Sequence, residues 1–317
     1  MLNELKFVQG AVAKKDFVPA LAHFRIADGK VKGYNGQLGL CSPINLDLTA
    51  TPKAVPFVRA IQTCQDAISI HMTDTGRMAI KSGRFKAFID CISEPYPEIE
   101  PEGEEVILGG KLLDAIKTVS PFIAEDASRP WARGILFRGQ SAYATNNVVI
   151  VEKWLGFDFP VEVNVPKSAI VELLRIGEEP ERLQVTDTSI TFHFSGGRWL
   201  RTQTYDLNWP NISKVLDRPA SPVDCPDGLF EAITDLTHFV GENGAITFSE
   251  DGSIATSSVE GQGASVSVSP FGAVGIYNLE QMKLLTGVVK QLDFSSSPAM
   301  FFGDGLRGAI VGMRVQI

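Results

Sequence analysis

The feature that most constrains this chain is an internal repeat of long period. Thr73-Asp74-Thr75-Gly76 leads into an alternating run that ends at Ser82-Gly83-Arg84, and Thr186-Asp187-Thr188-Ser189 leads into a second that ends at Ser195-Gly196-Gly197-Arg198. The two copies stand 113 positions apart. A weaker third copy is LDFSSSPAMFFGDGLR, residues 292–307. This period is the size of a domain and too long for a solenoid unit. Two proline-rich stretches separate the copies, SEPYPEIEPEGEE (93–105) and DRPASPVDCPDG (217–228). Proline lacks an N–H and fixes its own φ, so neither stretch suits the interior of an element. The expected division is 1–96, 106–216 and 225–317.

Within each segment, period-2 alternation dominates. RMAIKSGRFKAFID (77–90) and SITFHFSGGRWLRTQTYD (189–206) each predict two strands around a glycine turn. Between them lie short runs with apolar residues at helical spacing: 55–64, 111–124, 166–177, 229–241 and 278–292. Pro166 suits a first helical turn, and Asn278 suits an N-cap. The predicted fold class is α+β: three similar domains, each with a few helices packed on antiparallel sheet.

The chain has 317 residues and a net charge of -8, which does not describe a generally basic nucleic-acid binder. The charge is unevenly placed. Residues 1–96 sum to +4, 106–218 to zero and 219–317 to -7. The polar faces of the helical runs nevertheless carry basic residues repeatedly: Arg59, Lys111, Lys117, Lys167, Arg175, Lys283 and Lys290. Brought to one surface, they would form a basic lane on an acidic body. Such a lane meets phosphates and reads no base sequence.

Enzyme constellations are missing. There is no phosphate loop, no nucleophile elbow and no HExxH, and His23, His71, His193 and His238 stand apart. Cys41, Cys64, Cys91 and Cys225 form no CxxC pair, so no zinc or redox motif is expected, and reduced thiols in a cytosol are. GQGASVS (261–267) has no helix after it and predicts a strand edge or loop; PEIEPEGEE predicts a solvated acidic linker. No apolar run is long enough for a membrane span, and no signal-peptide pattern opens the chain. No cofactor or metal is expected.

Against this background, LLDAIKTVSPFIAEDASRPWARGILFRGQSAYATNNVVIVEKW resembles the start of the central domain of the bacterial DNA polymerase III beta subunit family. Ala144-Thr145-Asn146 stands at its Ala-Thr-Asp signature, and Trp209-Pro210-Asn211 at its aromatic-Pro-Asp motif. VNVPKSAIVELLRIGEEPERLQV resembles the helix and strand between them, and RMAIKSGRFKAFID and AIVGMRVQI resemble the hairpin of the first domain and the C-terminus. The resemblance implies a non-catalytic processivity factor: a head-to-tail homodimer ring, helices inside and sheets outside, sliding on double-stranded DNA in a cytosol. It implies a dimer interface of Ala87 and Ile89 against Phe239 and Val240. It implies that DNA polymerase and clamp loader dock short peptides in a cleft of Thr145, Asn147, Val148, Val149, Ile150, Asp217, Val311, Met313 and Arg314. This chain departs from the family at Asn147-Val148-Val149, where Gly-His-Arg is usual, at Asp217, where a proline is usual, and at Val311-Gly312-Met313-Arg314, where Met-Pro-Met-Arg is usual. Only about a dozen residues separate Lys6 from Pro19, so the first inner helix is expected to be absent or reduced to a turn. A compact, divergent clamp of this kind suits a phage or other mobile element. The alternative is a clamp-fold platform or decoy for replisome proteins that does not tether DNA.

Overall fold

The computed structural model describes residues 1–15, 18–126, 128–256 and 263–314. Six copies of one module follow each other along the chain: a helix, then a three-stranded antiparallel meander, with a short leading strand before the helix in the last four. The first is α1 (Leu2–Gln9) with β1 (Arg25–Ala27), β2 (Lys30–Tyr34) and β3 (Leu38–Pro43). The second is α2 (Ala54–Thr63) with β4 (Ile68–Met72), β5 (Met78–Ser82) and β6 (Phe85–Ile89). The third is β7 (Glu104–Ile107), α3 (Leu113–Val119), β8 (Gly134–Arg138), β9 (Ser141–Thr145) and β10 (Val149–Trp154). The fourth is β11 (Val163–Pro166), α4 (Lys167–Ile176), β12 (Arg182–Val185), β13 (Ser189–Phe194) and β14 (Arg198–Gln203). After α5 (Ser213–Leu216) comes the fifth: β15 (Val223–Asp224), α6 (Leu229–Asp235), β16 (Ala245–Phe248), β17 (Ser253–Thr256) and β18 (Ser265–Ser267). The sixth is β19 (Gly275–Asn278), α7 (Leu279–Lys283), β20 (Gln291–Asp293), β21 (Ala299–Gly303) and β22 (Leu306–Ile310). The 113-residue repeat is thus two modules long.

Two pairing rules build the sheets. A leading strand covers the first meander strand of its sister module: β7 pairs β12, β11 pairs β8, β15 pairs β20 and β19 pairs β16. Residues 50–53 do the same for β1 through two isolated bridges, His23 with Lys53 and Ile26 with Ala50. The last meander strands pair with each other, β3 with β14 and β10 with β22. The results are a seven-stranded sheet, an eight-stranded sheet, the four-stranded β18-β17-β16-β19 and the three-stranded β4-β5-β6.

The chain forms two compact units, residues 1–113 with 168–205, and 114–167 with 206–317. The division runs through the segment 106–216, because β3–β14 and β10–β22 tie half of it to each neighbouring segment. In the first unit, α1 and α2 pack on each other and α1 lies over β2 and β3, burying Leu5, Val8, Phe57 and Ile61. In the second, Phe137, Phe248 and Phe301 are fully buried.

Several expectations change in detail. The first helix is present: it begins at Leu2, ahead of the interval between Lys6 and Pro19 where it was sought. PEIEPEGEE is not a solvated linker, since Glu104 and Glu105 open β7, and Glu100, Glu102 and Glu105 pair with Lys32, Arg201 and Arg182. The run 278–292 yields only the short α7, capped as expected by Asn278, whose Oδ1 accepts from Gln281 N at 3.2 Å. Pro166 ends β11 one residue before α4. GQGASVS falls partly outside the described residues, with β18 formed by Ser265–Ser267.

Candidate functional site

The seven basic residues divide by what their side chains touch. Arg59, Lys111 and Lys117 are exposed, on α2, just before α3 and within α3. Among the described residues no carboxylate pairs with them. The other four have partners. Lys167 pairs with Glu125, Lys283 with Glu280 at 3.1 Å, and Lys290 with Asp304 at 2.6 Å. Arg175 is the most committed. Its Nε donates to Glu172 Oε1 at 2.7 Å, and its Nη2 donates to Phe7 O at 2.7 Å, at the C-terminal end of α1 where helix carbonyls lack partners.

The residues expected to line a peptide cleft lie in the second unit, with Thr145, Asn147, Val148, Val149 and Ile150 at the turn between β9 and β10. Asn147 has φ 74°, a left-handed position that asparagine tolerates. Asn146 Oδ1 accepts from Val148 N and Val149 N at 3.1 and 2.8 Å, closing an Asx turn, and Thr145 Oγ1 donates to Val149 O at 2.7 Å. The C-terminal segment continues the sheet beside this turn: Val311 N donates to Val148 O at 2.9 Å, and Met313 N donates to Ile276 O at 2.7 Å. Val311 is exposed, Met313 is half-buried and Arg314 is exposed, whereas Thr145 and Val149 are buried.

Below Ile150 lies a small apolar cluster of Leu136, Ile212, Leu216, Met300 and Ala309. Half-buried Tyr143, Ile150, Trp209, Val215 and Phe302 pack against it. Its rim is electrostatic. Arg307 reaches Asp217 at 2.8 Å and Glu152 at 2.5 Å, and donates to Leu216 O at 3.2 Å. The hydrogen bond from Arg307 holds the Asp217 carboxyl below the usual carboxylate range. Burial pushes the Tyr143 phenol up to about 12, helped by its bond to Glu152. Asp217 therefore anchors Arg307 at the rim of the apolar patch. The residues that sequence comparison left out are Tyr143, Glu152, Phe302 and Arg307, which come from strands far apart in the chain.

The four residues expected at a subunit boundary fall into two groups. Ile89 is 4% exposed and belongs to the core of its own unit. Alternation along β6 turns Phe88 the other way, and it is 45% exposed. Phe239 is 54% exposed, while Ala87 and Val240 are half-buried. The apolar side chain that β6 offers to solvent is thus Phe88 and not Ile89.

No candidate metal cluster occurs among the described residues, and no helix is long and apolar enough to cross a membrane. The four cysteines are free thiols. His193 is held by Gln184 at 2.8 Å, and burial lowers its pKa below 6.5.

Six modules, four of them joined in pairs through their last strands, are arranged as in the DNA clamp fold, and the solved structures agree. The chain matches a beta sliding clamp of C. crescentus with a TM-score of 0.85 and 17% identity, over 99% of this chain and 97% of that one. It matches a DNA polymerase sliding clamp of Pseudomonas aeruginosa with a TM-score of 0.85 and 19% identity over the same shares. Among curated proteins, the Beta sliding clamp of Helicobacter pylori is 23% identical over 241 residues. That match takes in 68% of this chain and 64% of the relative's length. No family model matches the chain.

Proposed function

We propose that two copies of this chain close head to tail into a ring that encircles duplex DNA and tethers a DNA polymerase, with no catalysis of its own. The observation that carries this reading is the pair of strands left over. Last meander strands pair across the domain boundaries, β3 with β14 and β10 with β22. By that rule β6 and β18 are owed a partner, and among the described residues neither has one on its outer edge. Pairing β6 of one copy with β18 of another satisfies both edges. It repeats a contact the chain already makes twice, and two copies of three domains, 1–96, 106–216 and 225–317, form the closed ring proposed. Phe88 and Phe239 are the apolar side chains available to that boundary.

Of the seven basic residues, Arg59, Lys111 and Lys117 have no carboxylate partner among the described residues and are the cations proposed for phosphate contacts. Lys167, Arg175, Lys283 and Lys290 reach phosphate only by exchanging their present partners. The contacts are sequence-independent and weak one by one, so retention is topological and the ring slides. The apolar patch beneath Ile150, rimmed by Arg307 and Asp217 and flanked by Val311 and Met313, suits short peptides of polymerase and loader. The setting is a cytosol, that of a bacterium or of a phage-infected host.

The test is retention of a loaded, labelled ring on nicked circular DNA and its loss after linearisation. Equal loss from both forms refutes the reading. The ion pairing of four of the seven cations favours a second reading, a clamp-fold platform for replisome proteins without DNA. Reversing Arg59, Lys111 and Lys117 together separates the two: retention falls under the first reading and partner binding is unchanged under the second.

A further inference from the structure

The turn at the proposed peptide cleft has a twin in the first unit. Between β2 and β3, Asn35 Oδ1 accepts from Gln37 N and Leu38 N, both at 3.0 Å, and Gly36 has φ 91°. Between β9 and β10, Asn146 Oδ1 accepts from Val148 N and Val149 N, and Asn147 has φ 74°. The registers agree as well. Leu38 and Gly39 stand opposite Thr202 and Arg201, as Val149 and Ile150 stand opposite Ile310 and Ala309. Tyr34 pairs with Gly39 as Thr145 pairs with Ile150. Gly39 is therefore the counterpart of Ile150, and Tyr34 of Thr145.

In the first unit this seat is taken. Residues 93–103 cross the seven-stranded sheet, and Ile99 sits over Gly39, where an added Cβ would lie 3.2 Å from Ile99 Cγ2. Glu100 pairs with Lys32, and Glu102 pairs with Arg201 at 2.7 Å. A slot of about 70 Å³ remains between Ile99 and Tyr34, Gln37, Arg201 and Gln203. Side chains alone hold this strap. Among the described residues no backbone N–H or C=O of 93–102 makes a hydrogen bond, and Pro95, Pro97 and Pro101 have no N–H to offer. The fit is also incomplete. The Tyr96 hydroxyl and Arg201 Nε are buried without a partner, which costs free energy that a better-fitting occupant recovers. The strap can therefore lift without breaking any strand ladder.

We infer that the seat over Gly39 is a second peptide-docking site, closed by the chain's own residues 96–102. An extended segment of a partner protein with the same chemistry, one branched apolar residue followed by acidic ones, takes their place when the strap lifts. The apolar residue fills the seat over Gly39, and the acids meet Lys32 and Arg201. The covalent tether holds the chain's own copy at a high effective concentration, so the seat is closed in the free protein. The partner chemistry follows from residues 96–102, and the docking mode from the peptide cleft proposed at 145–150. Binding over Gly39 is measured on its own, so either reading can fail alone.

The probe is a blocked, fluorescein-labelled peptide of residues 94–103, EPYPEIEPEG, added to the full chain. Binding is followed by anisotropy and located by amide hydrogen exchange. The variant Ile99→Ser, Glu100→Gln empties the seat and should bind the peptide at least about tenfold more tightly than wild type, with exchange slowed at 34–39 and 201–203. A peptide with serine in place of its isoleucine should fail to bind. Adding Gly39→Val to the open variant fills the seat from the sheet side with a residue suited to a strand, and should abolish binding while keeping the melting curve. No binding to the open variant, equal affinity for wild type, protection only at 145–150, or binding that survives Gly39→Val overturns the proposal. If the open variant melts early, wild type decides. Unlabelled peptide at about 10 mM, above the millimolar concentration that a short tether provides, should slow exchange at 34–39, and no change there overturns the proposal.

Discussion

Gly10→Ala tests the packing of α1 against α4. Gly10 closes α1 with helical backbone angles, φ -61° and ψ -25°, so local conformation alone favours alanine by up to about 1 kcal/mol. The surroundings oppose it. A Cβ at position 10 overlaps the carboxylate of Glu172. Glu172 is 6% exposed, and its carboxylate holds Arg175, which in turn donates to Phe7 O and Lys6 O at the end of α1. Alanine must therefore displace a buried carboxylate and loosen the bonds that satisfy the last turn of the helix. Losing one charge-assisted hydrogen bond and part of the carboxylate's compensation costs about 2–4 kcal/mol. The Coulombic part of the pair is discounted, since Arg175 is 41% exposed. Less the propensity gain, Gly10→Ala should destabilise by about 1–3 kcal/mol. The assay is a double-mutant cycle in urea with Gly10→Ala, Glu172→Ala and the pair. Removing Glu172 clears the overlap, so Gly10→Ala in that background should be neutral or slightly stabilising, with a coupling of about 2 kcal/mol or more. A single variant as stable as wild type, or additive effects in the cycle, refutes the reasoning.

Other outcomes follow from the same contacts. Arg307→Ala leaves Glu152 with only Ser141 and Tyr143 as partners and frees Asp217; it should destabilise by about 2 kcal/mol in urea and weaken capture of a polymerase-derived peptide. His193 binds its proton more weakly folded than unfolded, so its contribution is complete above about 6.5 and is lost as pH falls toward the lowered folded pKa; His193→Gln should shrink the drop in melting temperature between about pH 7.5 and 5.5. For the proposed ring, Phe88→Asp or Phe239→Asp should leave a folded monomer by mass in solution where wild type gives a dimer, whereas Ile89→Asp should cost folding itself, read by circular dichroism, because it buries an unpaired charge.

The sequence by itself determined what depends on near neighbours. Glycine turns and period-2 runs placed the hairpins 78–89 and 189–203, the Asn278 cap followed from its short polar side chain before a helical run, and the 113-residue spacing announced a repeat of domain size. An α+β class followed from these, and the resemblance pointed to the clamp fold that the solved structures share; three domains were expected from the same spacing, whereas the chain packs as two compact units. Tertiary structure decided everything that joins distant positions. The N-terminus of α3 is capped by Glu179, whose carboxylate accepts from Leu112 N at 2.8 Å across 67 residues, and no local pattern announces that. Alternation alone could not say which face of β6 is core, so it could not choose Ile89 for the interior and Phe88 for solvent. Basic residues could be found on helix faces, but whether a lysine is free or already paired is set by what folds next to it, as Lys111 and Lys167 illustrate. The module inside the repeat, with its leading strand exchanged between sisters, shows only in the hydrogen bonds between strands. Among the described residues those bonds also leave the outer edges of β6 and β18 without partners, because an edge is defined by what fails to pair with it, and pairing is a property of the fold and not of the run of residues that forms the strand.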